Sequence, residues 1–318
     1  YENLAWKDSY DAVVYADGTI VPQPKGLCEL QGYVYDAKVR MAEAFDALAE
    51  PEQAKQLRDE AETLKRRFND VFWMEDQGCF AYGLDPRKQQ ITSIASNVGH
   101  CLWSGIADPD KAKRTAARLL EGDMWSGWGV RTISRDNPAY NPLSYHLGSI
   151  WPHDNGIIAA GFKRYGLDRE ANYVIRGVFD SARRFEQYRP PEVFAGLQRR
   201  GKRTDFPVLY PAGANIPQAW ASGSIFHMLQ TILGLRADVP NGRLYVRPTL
   251  PDWLRDLYMH HLHVGAYALN LHFWREGDRS RWEVLKQAQD EHWPYPPMPP
   301  IQVLDEPVNT APFPTAPS

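Results

Sequence analysis

The feature that most constrains the fold is an alternation of amphipathic helices with two kinds of connection. Apolar residues recur at helical spacing in seven segments, most of which follow one another in pairs. Links inside a pair are short, whereas links between pairs are long and rich in Trp, Gly, Pro and His. Short links join antiparallel neighbours, and long loops on the opposite face can build a site. This alternation predicts an all-α toroid of helical hairpins.

The seven predicted helices comprise three pairs and one last helix. They are 34–48 and 54–71, then about 93–105 and 109–121, then about 153–165 and 168–186, and finally about 215–234. A ring of six hairpins needs twelve helices, so we expect about five more before residue 1. A partial ring is expected to leave apolar helix faces uncovered.

A change of rhythm marks the C-terminal part of the chain. From about residue 243, apolar and polar residues alternate in runs separated by turn residues, which is typical of antiparallel strands. After about residue 287 the sequence is rich in Pro, which favours an extended or disordered tail. We therefore predict three parts: a catalytic barrel portion at 1–240, a small β appendage at 241–287 and a Pro-rich tail at 288–318.

Composition narrows the classes of partner. The net charge of −3 gives no support for nucleic acid or an anionic membrane, and no apolar run approaches the roughly 20 residues needed to span a bilayer. Three cysteines without a CxxC pair weakly favour a reducing, cytoplasmic compartment. The run His260, His261 and His263 resembles metal-ligand spacing, but strand alternation points neighbours to opposite faces. We predict no metal and no cofactor.

Two acids stand in irregular loop stretches surrounded by aromatic and histidine residues. Asp8 follows Trp6, and Glu192 lies in the stretch YRPPEVFAG. Aromatic rings cover the apolar faces of a sugar, while polar side chains bond its hydroxyl edges. Glycoside hydrolysis needs one carboxylic acid to protonate the leaving oxygen and a second carboxylate to activate water or attack directly. The pair Asp8 and Glu192 therefore predicts carbohydrate hydrolysis.

No single residue in these loops is specific evidence. A lone loop Asp is most often a turn or cap residue, and loop tryptophans more often fill a core than bind a sugar. Asp11 is the second choice for the acid. Glu29 and Glu186 are weaker rivals of Glu192, because both lie in helical patterns. We expect Lys7 to face a sugar hydroxyl or solvent.

Six motifs, taken together, carry a family resemblance. They are WKDS with the following DG, CELQGYVYDAK, WSGWGVRT, YNPLSYHLGSIWPHDN, RPPEVFAG and YPAGANIPQAWASG. In this order the chain resembles the bacterial amylo-alpha-1,6-glucosidase (glycogen debranching enzyme-like) family of six-hairpin glycosidases. The resemblance covers residues 1 to about 235. It departs at Ala5 and Tyr10, where relatives commonly carry Gly, so the shape of the first loop is expected to differ.

The resemblance implies an (α/α)6 barrel in which Asp8 is the general acid and Glu192 the general base of an inverting hydrolase. The two carboxyl groups of such enzymes stand roughly 6.5–9.5 Å apart. The motif positions implied to bind the oligosaccharide or polysaccharide substrate are Trp6, Lys7, Trp128, Tyr145, His146, Trp151, His153, Asp154, Gln218 and Trp220. Relatives usually carry further helices and a β-rich domain before this region.

The sequence thus predicts hydrolysis of α-glucosidic bonds, including α-1,6 branch linkages of glycogen-like glucans. Two alternatives stay open. The chain on its own is a carbohydrate-binding fragment without turnover, or it is a related phosphorylase. A phosphorylase would need a phosphate site of Arg, Lys, His or backbone amides in place of the base carboxylate.

Overall fold

The computed structural model describes residues 5–201, 205–295 and 298–306. The chain divides into two compact units, the first spanning Tyr1–His227 and the second Met228–Asn309. The second unit therefore begins inside the last helix, earlier than the predicted boundary at residue 240.

The helices occur where the apolar periodicity predicts them. Prolines begin three of them, at a position where the missing backbone N–H costs no hydrogen bond. The bounds are α1 Cys28–Ala47, α2 Pro51–Val71, α3 Val98–Ser104, α4 Pro109–Leu119, α5 Pro152–Arg164, α6 Asp168–Ala182 and α7 Ala219–Leu233. Short 3₁₀ turns cover Glu186–Tyr188 and Val239–Asn241.

The first unit is built from helical hairpins. Helix α1 packs on α2, α3 on α4 and α5 on α6, while α1, α3 and α5 also pack on one another in that order. Helix α5 is buried on almost every side, whereas α6 buries one face. Helices α1, α3 and α5 thus form an inner row with their partners behind them. A closed toroid stays a prediction.

The apolar stripe predicted on α1 is not its buried face. Val34, Met41 and Leu48 are exposed, and α1 instead buries the face that carries Gly32 and Tyr35. Helix α2 differs, because its stripe of Ala54, Ala61 and Phe68 is buried as the periodicity predicts. Periodicity locates a helix, but it does not decide which face packs.

Short strands precede α3 in a region predicted to enter a helix at about residue 93. They are β1 Gly26–Leu27, β2 Trp73–Met74, β3 Cys79–Phe80, β4 Gly83–Leu84 and β5 Gln90–Ile91. Strands β1, β4 and β5 form one antiparallel sheet, and β2 pairs with β3. Such two-residue strands carry no detectable alternation, which explains why the sequence pattern missed them.

The second unit contains two three-stranded sheets. Its strands are β6 Arg236–Asp238, β7 Arg243–Val246, β8 Asp256–Val264, β9 Tyr267–Glu276, β10 Arg279–Gln289 and β11 Gln302–Asp305. Strands β8, β9 and β10 are antiparallel neighbours, with β9 central. Strand β11 pairs in parallel with β7, so this part of the predicted tail is a strand. Residues 307–318 lie outside the described residues.

None of the helices in the described ranges is both long enough and apolar enough to cross a membrane. The cysteines Cys28, Cys79 and Cys101 are buried and unbridged.

Candidate active site

Six rings from four chain segments meet in the first unit. We call them the Trp6 cluster: Trp6, Tyr145, His146, Trp151, His153 and Trp220. Trp6 contacts His153 edge to face at 4.9 Å between ring centres. His153 stacks on Trp220 at 3.8 Å with the planes 5° apart. Aromatic and histidine residues that are far apart in the sequence thus form one cluster of contacting rings, which includes the polar nitrogens of two imidazoles.

The Trp6 cluster lies at the beginning of two inner helices. Trp6 also stacks on His100 in the first turn of α3. The His100 Nε2 donates to Asp154 Oδ1 at 2.7 Å, and the Tyr33 hydroxyl bonds the His100 Nδ1 at 2.5 Å. Burial opposes ionisation of Asp154, but its hydrogen bond from His100 and the nearby Lys7 charge outweigh this and lower its pKa. Asp154 is therefore an ionised anchor beneath Trp6.

Both histidines of the cluster are held neutral. Burial lowers the pKa of His146 to about 3 and that of His153 to about 3. The Lys7 charge lowers both further, and Asp154 opposes it. His146 Nδ1 is hydrogen-bonded to Ser9 Oγ at 2.8 Å. In the described part of the chain, His146 Nε2 and both His153 ring nitrogens have no hydrogen-bond partner.

The carboxyl group of Glu192 is held at both oxygens. The Tyr145 hydroxyl donates to Oε1 at 2.6 Å, and the Asn215 side-chain amide donates to Oε2 at 3.1 Å. Glu192 is 8% exposed, so the residue is not fully closed off from solvent. The Asn215 backbone N–H also donates to Oε2, at 3.4 Å, so the orientation is fixed and Oε1 is the oxygen that keeps a further lone pair for a water molecule.

Asp8 lies near enough to Tyr145 for its charge to act on the phenol. Burial raises the pKa of Tyr145, the hydrogen bond and charge of Glu192 raise it further, and the charge of Asp8 adds to them. Asp8 itself is exposed, directly between Lys7 and Ser9. One phenol therefore feels both candidate catalytic carboxylates.

The Glu192 loop is seated on the segment that carries Tyr145. Phe194 exchanges both backbone hydrogen bonds with Ile150 at 2.8 and 3.0 Å. A Cβ added to Gly196 would lie 1.7 Å from the carbonyl oxygen of Gly148, so only glycine permits this approach. The Arg131 guanidinium donates to the Gly196 carbonyl at 2.7 Å. These contacts fix the two segments as one block.

Three residues implied by the resemblance make contacts with other parts of the protein. Lys7 is 1% exposed and donates to the Thr132 carbonyl at 2.6 Å, rather than facing a hydroxyl or solvent. Trp128 is 2% exposed and packs with Ile150 and Phe194 in a separate core cluster. The Gln218 side-chain oxygen accepts from the backbone of Ala221, as a cap at the start of α7.

The rival acids differ in burial. Glu29 lies in the first turn of α1, as its helical pattern predicts, and is fully buried there, which raises its pKa. Asp11 is half-buried and Glu186 is exposed.

Sequence reasoning missed Ser9, His100 and Asn215, which contact candidate site residues, and Tyr33, which bonds His100. Ser9, Tyr33 and Asn215 lie inside the quoted motifs, whereas no quoted motif includes His100.

A groove also lies elsewhere, along α1 and α2. It has a volume of about 1200 Å³ and a mixed lining of charged, polar and apolar side chains. In the described ranges, no group of three or more His, Cys, Asp or Glu side chains could hold a metal ion.

Carboxylates beside clustered aromatic and histidine side chains on helical hairpins are typical of one class, the glycoside hydrolases. A family comparison shows the same class, with residues 9–199 matching the Mannosylglycerate hydrolase MGH1-like glycoside hydrolase domain. This match spans more than half of the chain, and the chain belongs to that family. The matched range contains Glu192 and begins one residue after Asp8.

Two curated relatives come from Selaginella moellendorffii. Mannosylglycerate hydrolase MGH1 and Mannosylglycerate hydrolase MGH2 are each 30% identical over 119 residues. Each match covers 34% of this chain and 24% of the relative, so the chain spans about a quarter of the relatives' length.

Several solved structures share the fold. A sialidase has a TM-score of 0.69 at 13% identity, covering 89% of this chain and 27% of that chain. Neutral trehalase Nth1 from Saccharomyces cerevisiae has 0.54 at 14%, covering 71% and 41%. The GH63 mannosylglycerate hydrolase from Thermus thermophilus in complex with Tris has 0.50 at 16%, covering 64% and 45%. The comparisons support a six-hairpin glycosidase, not specifically an amylo-alpha-1,6-glucosidase.

Proposed function

We propose that this chain carries the site of an inverting glycoside hydrolase acting on α-glycosidic bonds, with Asp8 as general acid and Glu192 as general base. The supporting observation is the Tyr145 hydroxyl, which bonds Glu192 at 2.6 Å and whose pKa is also raised by the charge of Asp8. Two carboxylates around one phenol can face the two sides of a single sugar ring. Besides the two carboxylates, the reaction needs aromatic rings that pack on the sugar, and the Trp6 cluster can supply them.

In this mechanism each carboxylate moves one proton. Asp8 gives its proton to the glycosidic oxygen as the bond from the anomeric carbon to that oxygen breaks. Glu192 takes a proton from a water molecule, whose oxygen attacks the anomeric carbon from the opposite face. The product therefore has the inverted anomeric configuration. Tyr145 and Asn215 fix the orientation of Glu192, and Oε1 keeps a lone pair that can accept the proton of the water.

The neutral histidines suit the edges of the sugar. His146 and His153 present ring nitrogens that have no partner among the described residues, inside a wall of rings. A hydroxyl can donate to one such nitrogen and accept from another, which offsets the loss of its own hydration. A neutral imidazole also avoids adding charge beside the forming oxocarbenium-like centre.

Two substrates fit the proposal, each favoured by a different observation. The ordered motifs favour an α-glucosidic bond, including the α-1,6 branch linkage of a glycogen-like glucan. The family match and the two Selaginella relatives instead favour a small α-mannoside such as mannosylglycerate. Both substrates need the same pair of carboxylates.

The acid and base are tested with glycosyl fluorides, because fluoride leaves without protonation. We expect Asp8→Asn to lose about 10²–10⁴-fold in kcat on an aryl α-glycoside with a poor leaving group. The same variant should keep most of its rate on the α-glycosyl fluoride. Glu192→Gln should lose both activities, since water activation is needed in each case.

Matched controls are Asp11→Asn and Glu186→Gln, which should stay within about threefold of the wild type. A larger loss in Asp11→Asn than in Asp8→Asn would move the acid to Asp11. Retention of the anomeric configuration, followed by NMR of the first-formed product, would overturn the inverting assignment.

Substrate choice is settled by rates on isomaltose, panose and mannosylglycerate, with and without inorganic phosphate. Hydrolysis without phosphate supports the proposal. Release of a sugar phosphate only when phosphate is present would favour a phosphorylase. Calorimetric binding without turnover would favour a carbohydrate-binding chain.

A further inference from the structure

A lysine buried beside an exposed acid is the feature that the proposed mechanism leaves unused. Lys7 is 1% exposed, whereas its neighbour Asp8 is exposed. Lysine is seldom fully buried, because its ammonium loses hydration that a few contacts must replace. The burial of Lys7 directly beside the proposed general acid therefore needs an explanation.

The ammonium of Lys7 is held from several directions. It donates to the Thr132 carbonyl at 2.6 Å and lies 5.1 Å from the centre of the Trp6 ring and 5.2 Å from that of Tyr82. The charged groups that face it are Glu29 on α1 and Asp154 on α5, with the Cys28 thiol beside them. The lysine thus ties the loop before Asp8 to the beginnings of inner helices.

The acceptor of this bond is itself fixed. The Thr132 backbone N–H donates to the Ser149 carbonyl at 3.0 Å, the Thr132 carbonyl also accepts from the Ser96 N–H at 3.2 Å, and its hydroxyl accepts from the Gly148 N–H at 2.8 Å. Thr132 therefore belongs to the block that carries Tyr145 and receives the Glu192 loop. Through this carbonyl, Lys7 connects the loop that carries Asp8 to the block that holds the Glu192 loop.

A second bond holds the other side of the acid. Ser9 Oγ is hydrogen-bonded to His146 Nδ1 at 2.8 Å. Asp8 is thus flanked by two residues whose side chains reach back to the 132–149 region. We infer that Lys7 is a positioning residue for Asp8, which sets the separation of the two carboxylates; this rests on the proposed roles of Asp8 and Glu192.

The charge state of Lys7 fits this role. Burial lowers the pKa of Lys7 to about 8, while Asp154, Glu29 and Cys28 raise it in part. At neutral pH most molecules therefore keep a charged donor, and charge-assisted hydrogen bonds are the stronger ones.

The test compares Lys7→Met with Lys163→Met in the full chain. Methionine has nearly the length of lysine and removes the donor and the charge. Lys163, in the last turn of α5, is similarly buried, at 7% exposure. Its ammonium lies 3.0 Å from the carboxylate of Asp168, the first residue of α6. We expect Lys7→Met to lower kcat about 10²-fold with KM within threefold, because a misplaced acid weakens the transition state rather than substrate binding. Lys163→Met should leave kcat within twofold.

A readout that needs no turnover separates this inference from the proposed function. In Lys7→Met, amide hydrogen exchange of a peptide covering residues 5–15 should be at least tenfold faster than in the wild type and in Lys163→Met. Unchanged exchange there overturns the inference even if every variant hydrolyses glycosides. Faster exchange in a chain that hydrolyses no glycoside keeps Lys7 as the loop anchor and rejects the proposed function.

Ser9→Ala supplies the second variant, since it removes the other anchor without disturbing a buried charge. It should lower kcat about three- to tenfold with KM unchanged. If Lys7→Met and Ser9→Ala both keep wild-type kcat, Asp8 is not positioned by its neighbours. A fall in kcat that follows the fraction of unfolded protein in each variant overturns the inference as well.

Discussion

Each unit contains a group of stacked rings with histidine at its centre, and the two groups differ in what the imidazole nitrogens meet. In the Trp6 cluster, burial lowers the pKa of His153 to about 3. In the second unit, His272 stands between Tyr258 at 4.2 Å and Trp274 at 4.8 Å, which we call the His272 stack. Here hydrogen bonds from the imidazole to Glu283 and Asp256 raise the pKa of His272.

The difference teaches that ring contacts alone do not identify a ligand site. Glu283 accepts from His272 Nδ1 at 3.0 Å and Asp256 accepts from Nε2 at 3.2 Å, so both nitrogens are used within the sheet. A ligand would have to break these bonds to use the imidazole. His153 keeps both ring nitrogens without a partner in the described ranges. Open hydrogen-bonding capacity, rather than stacking, separates the candidate site from a structural clamp.

Truncating one ring in each group should give the largest contrast. Trp151 is 1% exposed and contacts most of the Trp6 cluster, so Trp151→Ala is expected to cost about 3–5 kcal/mol of unfolding free energy. Trp274 lies on the half-buried face of β9, and Trp274→Ala is expected to cost about 1 kcal/mol. Urea unfolding measures both. Equal costs would mean that the two groups are packed alike.

The pH dependence of stability should differ in sign between the two histidines. The pKa of His153 is depressed below that of an unfolded histidine, so its contribution is present above pH 6.5 and is lost as the pH falls. The wild type should lose roughly 2 kcal/mol relative to His153→Gln between pH 6.5 and 5. A constant difference over that range would show that His153 takes up a proton in the folded chain.

The raised pKa of His272 gives the opposite sign. Its stabilisation is fully present below the unfolded pKa and is lost as the pH rises through the folded pKa. The melting temperature of the wild type should therefore exceed that of His272→Gln at pH 5.5, and this margin should shrink by pH 9. A difference in melting temperature that grows with pH would contradict the raised pKa of His272.

The smallest effect is expected from the two carboxylates that bond His272. Glu283→Gln and Asp256→Asn each remove one charged acceptor and leave the other. In each variant, the pH-dependent excess of the melting temperature over that of His272→Gln should be about half that of the wild type, because one of the two acceptors of His272 remains. The effect is small because exposed pairs contribute little individually. Melting curves at pH 5.5 and 9 measure this. If neither variant changes the margin, the raised pKa has another cause.

The sequence predicts the helical hairpins well, because apolar periodicity and prolines at helix starts are local signals. The prediction is correct for α2, α5 and α6 to within a few residues at most ends. It missed which face of α1 packs, since that depends on neighbours distant in the chain. It also missed the short strands before α3, whose length is below what alternation can show.

The candidate site was predictable in its residue types more than in its contacts. The motifs placed Tyr145, Trp151 and His153 among the ligand-lining residues, and these three are in ring contact. They also placed Lys7 and Trp128 there, although Lys7 is buried against the Trp6 ring and bonds the Thr132 carbonyl, and Trp128 packs in a separate core cluster. A motif shows that a residue belongs to the region, but only packing decides whether its side chain faces inward.

The close passage of Gly196 over Gly148 has a consequence for recombination between relatives. The two backbones touch where any side chain at residue 196 would meet the carbonyl oxygen at 1.7 Å. A chimaera that imports the base-bearing loop alone would have to reproduce this contact against a foreign partner. The segments around residues 140–150 and 190–196 should therefore be exchanged as a single cassette, and a saturation library at residue 196 should return glycine.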